Sequence, residues 1–140
     1  MRIFIDTSVL FSAIFSSNGY ARDLLHLAGE GKVTLVLSRD VLKETERNLL
    51  KKSPGKIPLF TTLIAVLEPE IIEDLTAQEV AVAAEYTALK DAPIVAAAIK
   101  SRVDYLVTFD HKDLLGPPQV AEKSGLKIVR PETVIRQLGD

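Results

Sequence analysis

The chain has 140 residues, 47% of them apolar, which is enough for one ordinary domain with its own core. It contains no cysteine, so a disulfide framework, a thiol nucleophile and a cysteine-ligated zinc ion are excluded. The formal net charge of −2 argues weakly against a protein that coats nucleic acid by bulk electrostatic attraction, but it leaves room for a local basic surface.

The first predicted element is a short strand that stops at an acidic residue. The run Ile3-Phe4-Ile5 is apolar at every position, which is typical of a strand buried on both faces, as in a parallel sheet. Asp6 follows directly, and Val9-Leu10-Phe11 begins a helix just after it. Ligands bind beyond the carboxyl ends of such strands in open α/β sheets, but Asp is also a favoured helix N-cap. Asp6 is therefore a site residue, a cap, or both.

Helices and strands alternate along the rest of the chain. In order, the sequence predicts a helix around Leu24 to Ala28, a strand over Val33 to Leu37, a helix capped by Ser38, a helix over Leu59 to Leu67, a helix from Thr76 to about Leu89, a helix from Asp91 to about Arg102, strands at Tyr105 to Thr108 and Lys127 to Val129, and a helix over Pro131 to Leu138. This alternation predicts an α/β fold, a single three-layer domain over residues 1–140 with a central, mostly parallel sheet flanked by helices.

Three further acidic residues are expected near Asp6. Asp110 follows another apolar strand, and the carboxyl ends of parallel strands lie at one edge of a sheet. Asp91 begins a helix that enters from the same edge. Glu44 borders the apolar stripe of the helix after the second strand, but Glu46 borders the other side. Spacing alone does not choose between these two glutamates.

Each acid also has an ordinary structural explanation. Asp91 fits a helix cap, Glu44 a solvated flank and Asp110 a turn residue. Several carboxylates at one edge, however, repel one another and raise each other's pKa unless a cation neutralises them. Oxygen ligands without cysteine suit Mg²⁺ or Mn²⁺. The combination therefore favours a magnesium or manganese site.

Four motifs, in this order, resemble those of the PIN-domain family. They are Ile5-Asp6-Thr7-Ser8-Val9-Leu10, Val41-Leu42-Lys43-Glu44, Asp91-Ala92-Pro93-Ile94-Val95-Ala96-Ala97-Ala98 and Leu106-Val107-Thr108-Phe109-Asp110. The tail, Ile128-Val129-Arg130-Pro131-Glu132, looks like the family's last strand and helix, so the resemblance spans essentially the whole chain. PIN domains are metal-dependent nucleases, and many are the toxin ribonucleases of toxin–antitoxin pairs, the VapC type.

The resemblance implies a PIN-like fold and a set of site residues. It assigns catalysis and metal binding to four acids: Asp6, Glu44, Asp91 and Asp110. It gives supporting positions around the cluster or its waters to Thr7 or Ser8, and to Thr108. Asp113 is either an auxiliary residue or a helix-start residue. Because no second acid stands two residues after Asp91, the number of ions, one or two, stays open.

The resemblance also implies the reaction and its partners. Mg²⁺ or Mn²⁺ would assist hydrolysis of a phosphodiester bond in RNA, leaving a 3′-hydroxyl and a 5′-phosphate. An antitoxin protein is the implied partner. A basic rim should grip the nucleic-acid backbone. Its candidates, which are otherwise ordinary solvated side chains, are Arg39, Lys43, Arg47 and Lys112, with Lys90 beside Asp91.

Two other functions compete with this interpretation. A phosphatase of the haloacid-dehalogenase type needs a second Asp two residues after the nucleophile, and this position is Ser8. A non-catalytic PIN-like domain would bind RNA or a protein without cutting, but the presence of all four acids argues against it.

The helix over Leu59 to Leu67 carries no charge, which is unusual for a helix with a solvated face. We expect it to be covered, either by a second copy in a homodimer or by the protein's own core. The run is only about half the length that spans a bilayer. Because the chain starts directly on a strand pattern, a signal peptide is not expected either. These features predict a cytoplasmic protein without a membrane partner.

Overall fold

The computed structural model describes residues 1–139, which fold around a five-stranded sheet. The strands are β1 (Arg2–Ile5), β2 (Thr34–Leu37), β3 (Glu70–Ile71), β4 (Tyr105–Val107) and β5 (Ile128–Val129). The α-helices are α1 (Thr7–Phe15), α2 (Tyr20–Gly29), α3 (Arg39–Lys52), α4 (Ile57–Leu67), α5 (Ala77–Ala84), α6 (Ala92–Ser101), α7 (Pro118–Ser124) and α8 (Pro131–Gly139). Short 3₁₀ turns at Pro54–Lys56 and Leu89–Asp91 and a π-helical turn at His111–Leu115 complete the chain.

The sheet is parallel throughout, in the order β3-β2-β1-β4-β5. Its central strand β1 is the most buried, since Ile3, Phe4 and Ile5 have no exposed surface. Ile5 pairs with Val107, so β1 and β4 end level with each other. The predicted parallel α/β fold is confirmed, and the register places the residues that follow these two strands side by side.

Local sequence signals set several helix starts. Ser38 Oγ accepts a hydrogen bond from the Val41 N–H, as expected for the N-cap of α3. Thr76 and Glu79 form a reciprocal capping box at the start of α5, with distances of 3.1 and 2.8 Å. These caps place α3 and α5 where the sequence predicts them.

The prediction that one helix runs from Thr76 to about Leu89 is wrong. Helix α5 ends at Ala84, and Ala88 is extended, with φ −56° and ψ 141°. Beyond Ala84 the N–H groups of Glu85 and Tyr86 bond to the carbonyls three residues before them, Val82 and Ala83, so the last turn tightens and the helix ends. The chain instead turns before α6, and this break brings Asp91 to the sheet edge.

Two elements were not predicted from the sequence. Strand β3 is only two residues long and exposed at the edge of the sheet, so it has no apolar signature. Helix α7 begins at Pro118, a residue tolerated in the first helical turn, and ends at Ser124, and the next residue is Gly125, whose φ of +74° suits glycine.

Helix α4 is covered on one side by the protein's own core. Phe60 is buried, and Leu63 and Ile64 are among its residues that pack against the main core. On the other side, Val66 is 71% exposed. Packing against the core therefore explains why one face of α4 carries no charge. That a second subunit covers the exposed face stays a prediction. Within residues 1–139, no helix has the length and apolar character needed to cross a membrane.

Candidate active site

Asp6 lies buried at the carboxyl end of the central strand. Its Oδ1 accepts hydrogen bonds from Ser8 Oγ at 2.6 Å and from the Val9 N–H at 3.1 Å. Its Oδ2 accepts one from Thr108 Oγ1 at 2.5 Å. Burial raises the pKa of Asp6 above its ordinary value, against the lowering effect of these hydrogen bonds. One oxygen therefore caps α1, and the other faces β4.

Two hydroxyl groups tie the ends of β1 and β4 together. Thr108 Oγ1 donates to Asp6 and accepts from the Asp110 N–H at 2.9 Å. Ser8 Oγ donates to Asp6 and accepts from the Phe109 N–H at 3.2 Å. Each hydroxyl therefore donates one hydrogen bond and accepts one, and together they fix Asp6 relative to the residues that follow β4.

Three aspartates form the acidic cluster of this edge: Asp91, Asp110 and Asp113. Their nearest carboxylate oxygens all lie within 4.8 Å of one another. Asp110 Oδ1 accepts the Asp113 N–H at 3.0 Å, so the π-helical turn at His111–Leu115 presents both carboxylates together. Of the four acids assigned by resemblance, the structure brings Asp91 and Asp110 into this cluster. Asp6 is joined to it through Thr108.

Asp91 precedes α6 but makes no side-chain capping hydrogen bond. Only 8% of the residue is exposed, and its Oδ2 is buried without a hydrogen-bond donor. Burial is the largest cause that raises the pKa of Asp91, Lys90 lowers it, and the charges of Asp110 and Asp113 raise it further. This oxygen accepts no hydrogen bond, and its charged neighbour is the mostly exposed Lys90 ammonium at 3.4 Å, so the buried carboxylate is only partly compensated. This geometry argues against a role as a cap alone.

Lys90 places an ammonium group among these carboxylates. Its Nζ lies 3.0 Å from Asp113 Oδ2 and 3.4 Å from Oδ2 of both Asp91 and Asp110. The hydrogen bond to Asp113 is the main cause that raises the pKa of Lys90. The three carboxylates therefore favour a positive charge at the position of Lys90 Nζ. The all-oxygen donor set, with an Asp91 oxygen that accepts no hydrogen bond, also fits Mg²⁺ or Mn²⁺.

Glu44 lies outside the acidic cluster, exposed on α3. Thr7 Oγ1 donates a hydrogen bond to Glu44 Oε1 at 3.2 Å, which joins α3 to the start of α1. Glu44 also lines a cleft of about 240 Å³ whose wall includes Lys90. Glu46 is exposed and is not part of this lining. The contact with Thr7 is a distinction between the two glutamates that helical spacing could not reveal.

Basic side chains border the same cleft. Lys43 and Arg47 line it beside Glu44. Arg39 forms an exposed ion pair with Asp74 at 3.4 Å, and Lys112 is exposed in the π-helical turn.

Arg130 was not predicted for the rim. It directly follows β5, and its guanidinium carbon lies 5.1 Å from the centre of the Phe109 ring. Its position immediately after a predicted strand was the sequence signal that could have placed it at this edge.

Comparison with known proteins places the fold among solved relatives. The PIN domain family model matches residues 2–112. The structure is similar to that of PAE2754 from Pyrobaculum aerophilum, with a TM-score of 0.66 and 21% identity over 99% of this chain and 90% of that one. It is also similar to VapBC2 from Rickettsia felis bound to a promoter DNA fragment, with a TM-score of 0.65 and 20% identity over 91% and 97% of the two chains.

A third similar structure is FitAcB from Neisseria gonorrhoeae, with a TM-score of 0.62 and 17% identity over 93% of this chain and 98% of that one. No curated protein matches the sequence. At these identities the solved structures support the fold, whereas the family model covers most of the chain, including Asp6, Glu44, Asp91 and Asp110.

Proposed function

The chain belongs to the PIN-domain family, and from this premise we propose that it is a metal-dependent endoribonuclease that hydrolyses phosphodiester bonds. PIN domains are generally nucleases. The observation that carries the proposal is the acidic cluster with its buried Asp91 oxygen, which accepts no hydrogen bond and has only the 3.4 Å ion pair with Lys90, next to Asp6 at the carboxyl edge of the sheet. We take residues 1–140 as one nuclease domain.

The proposed metal ligands are Asp6, Glu44, Asp91 and Asp110, with Asp113 as an auxiliary ligand. When bound, Mg²⁺ or Mn²⁺ would lower the pKa of a water molecule and stabilise negative charge on the phosphate. The all-carboxylate donor set supports this choice of ion.

The surrounding side chains orient the acids. Ser8 and Thr108 hold both oxygens of Asp6, so that its carboxylate has little rotational freedom. Thr7 holds Glu44 beside the cleft, where its carboxylate can accept a proton from a water molecule. Lys43 and Arg47, on the wall of that cleft, would bind the flanking phosphates, and Arg39 and Lys112 would extend the contact.

We further propose that the protein is the toxin of a toxin–antitoxin pair. The family includes many such toxins, and two of the similar solved structures are VapBC2 and FitAcB. The proposed partners are an antitoxin protein and a second copy of this chain. The exposed side of α4, which includes Val66, is the surface offered for the homodimer.

The two glutamates of α3 provide a matched test of the site. Replacement of Glu44 by Gln is expected to reduce cleavage by about 10²-fold, because it removes a charge from the cleft while keeping the shape and the Thr7 contact. Replacement of Glu46 by Gln removes the same charge from an exposed position and is expected to leave the rate within about twofold. Equal rates for the two variants in an RNA cleavage assay would remove Glu44 from the site.

The substrate is tested by incubation with total RNA, and separately with single-stranded and double-stranded DNA, in the presence of Mg²⁺ or Mn²⁺. We expect water, not the 2′-hydroxyl, to attack the phosphorus and the bond from phosphorus to the 3′-oxygen to break, so that the fragments carry 3′-hydroxyls and 5′-phosphates, as the family resemblance implies. Ligation of an adaptor that requires a 5′-phosphate reads this outcome. RNA that is bound but remains intact would instead support the non-catalytic alternative.

A further inference from the structure

The ammonium group of Lys90 occupies the space where the three carboxylates of the acidic cluster meet. It contacts Asp113 at 3.0 Å and both Asp91 and Asp110 at 3.4 Å. One positive charge therefore offsets part of the repulsion among three clustered negative charges. The contact is incomplete, because Asp91 Oδ2 still receives no hydrogen bond.

We propose that Lys90 is the internal counterion of the metal site, which stabilises the acidic cluster in the metal-free protein and which a divalent ion displaces when it binds. The inference rests on the proposed function, because it takes the acidic cluster as the place where the ion binds. Lys90 would thus act on the site indirectly, by holding the carboxylates that it contacts in place until the metal ion binds.

The ammonium and a divalent ion compete for the same oxygens. A divalent ion would be held by Asp91, Asp110 and Asp113, the same carboxylates that Lys90 Nζ contacts. Two cations among these three carboxylates would repel each other. The divalent ion also carries twice the charge, and Asp91 Oδ2 accepts no hydrogen bond from the ammonium, which lies 3.4 Å away.

Lys90 can leave without a change of fold. Its side chain is 67% exposed, whereas that of Asp91 is only 12% exposed. It belongs to the short 3₁₀ turn Leu89–Asp91 and lines the cleft that also contains Asp40 and Glu44. Rotation of its side chain therefore moves the ammonium into solvent or towards these two acids. A lysine is suited to this exchange, because its compact charge is carried on a flexible stem.

The test is direct titration of Mn²⁺ into the metal-free protein and three variants. Lys90→Met keeps the length of the side chain but removes its charge, and we expect it to bind Mn²⁺ about tenfold more tightly. Lys90→Arg keeps the charge and should stay within about threefold of the parent. Lys112→Met removes one charge from an exposed neighbouring position and should change the affinity by about twofold at most.

A second readout is thermal stability. Metal-free Lys90→Met should melt at a lower temperature than the parent, because the carboxylates lose their counterion. Saturating Mn²⁺ should raise its melting temperature more than that of the parent. Both measurements are independent of nuclease activity.

An Mn²⁺ affinity of Lys90→Met that equals or falls below the parent value would overturn the inference. If that parent nevertheless cuts RNA with Mn²⁺, the proposed function stands and only the counterion role fails. If the affinities follow the expected order but no nucleic acid is cut, the counterion role stands and the proposed function fails. Absence of Mn²⁺ binding by all four proteins would overturn both.

Discussion

Replacement of Asp91 by Asn is expected to reduce RNA cleavage by about 10²-fold or more, because it removes a negative charge from the proposed metal site. Asn and Asp rank nearly equally as helix N-caps, so a residue that only caps α6 would tolerate the change. Asp91 makes no side-chain capping bond, and its buried Oδ2 accepts no hydrogen bond and lies 3.4 Å from Lys90 Nζ. The structure therefore favours the ligand role over the cap.

The same variant should not be less stable without metal. Burial is the first cause that raises the pKa of Asp91, so its ionised form is destabilised in the folded protein. This penalty is full above the raised pKa, declines as the pH falls below it, and is lost once the pH is below the ordinary pKa of 3.8. Asn removes it, and we expect the free energy of unfolding at pH 7 to stay constant or rise by up to about 1 kcal/mol.

Cleavage rate and melting temperature should be measured on the same preparations. Added Mg²⁺ should raise the melting temperature of the parent more than that of Asp91→Asn. Asp23→Asn is the matched control, since Asp23 is an exposed acid in the first turn of α2. Parental cleavage by Asp91→Asn would remove Asp91 from the site, whatever the other acids do.

Replacement of Asp6 by Asn should also reduce RNA cleavage by about 10²-fold or more, while the protein remains folded. The Asn oxygen can still accept the Val9 N–H and cap α1. Its amide nitrogen cannot accept the hydrogen bond from Thr108, a loss of about 1 kcal/mol. Burial raises the pKa of Asp6, so its charged form is costly in the folded protein, and the neutral Asn avoids this cost. This gain opposes the loss of the hydrogen bond. We therefore expect a small net change in stability and a large change in activity.

Circular dichroism and thermal melting establish that Asp6→Asn is folded before its activity is compared. Thr108→Val tests the support of Asp6 separately, because it removes the hydroxyl that donates to Asp6 and accepts from Asp110. This variant should lose less activity than Asp6→Asn. If Asp6→Asn cuts RNA as well as the parent, Asp6 is a cap and not a site residue.

Much of the fold was predictable because its central signals are local. The run Ile3-Phe4-Ile5 is apolar at every position, and the strand it predicts is the fully buried centre of the sheet. Ser38 and Thr76 identified two helix starts through the types of their side chains. Strand β3 could not be predicted, because two exposed edge residues carry no apolar pattern.

From the sequence, only those site residues could be placed whose positions follow from the ends of the strands. Asp6 and Asp110 follow β1 and β4, so a parallel sheet alone brings them to one edge. The position of Asp113 depends on the π-helical turn, in which the N–H groups of Leu114 and Leu115 both bond to the Asp110 carbonyl. No spacing rule in the sequence signals that turn.

The place of Lys90 also depends on tertiary structure. The sequence shows a lysine beside Asp91, but adjacent residues on a turn need not contact each other. Its three ion pairs arise because α5 ends at Ala84, which lets the 3₁₀ turn Leu89–Asp91 approach the π-helical turn. The same early end of α5 contradicted the predicted helix, so one turn that the sequence did not reveal explains both the wrong helix end and the unpredicted ion pairs of Lys90.

The most direct test of the central claim is the metal dependence of RNA cleavage by one preparation of the protein. A labelled RNA is incubated with the untreated protein, with the protein in excess EDTA, and with the chelated protein after Mg²⁺ or Mn²⁺ is restored. Identically purified Asp6→Asn controls for contaminating nucleases. We expect cleavage to fall to the level of the variant in EDTA and to return with either ion. Undiminished cleavage in EDTA, above the level of Asp6→Asn, would contradict a metal-dependent nuclease.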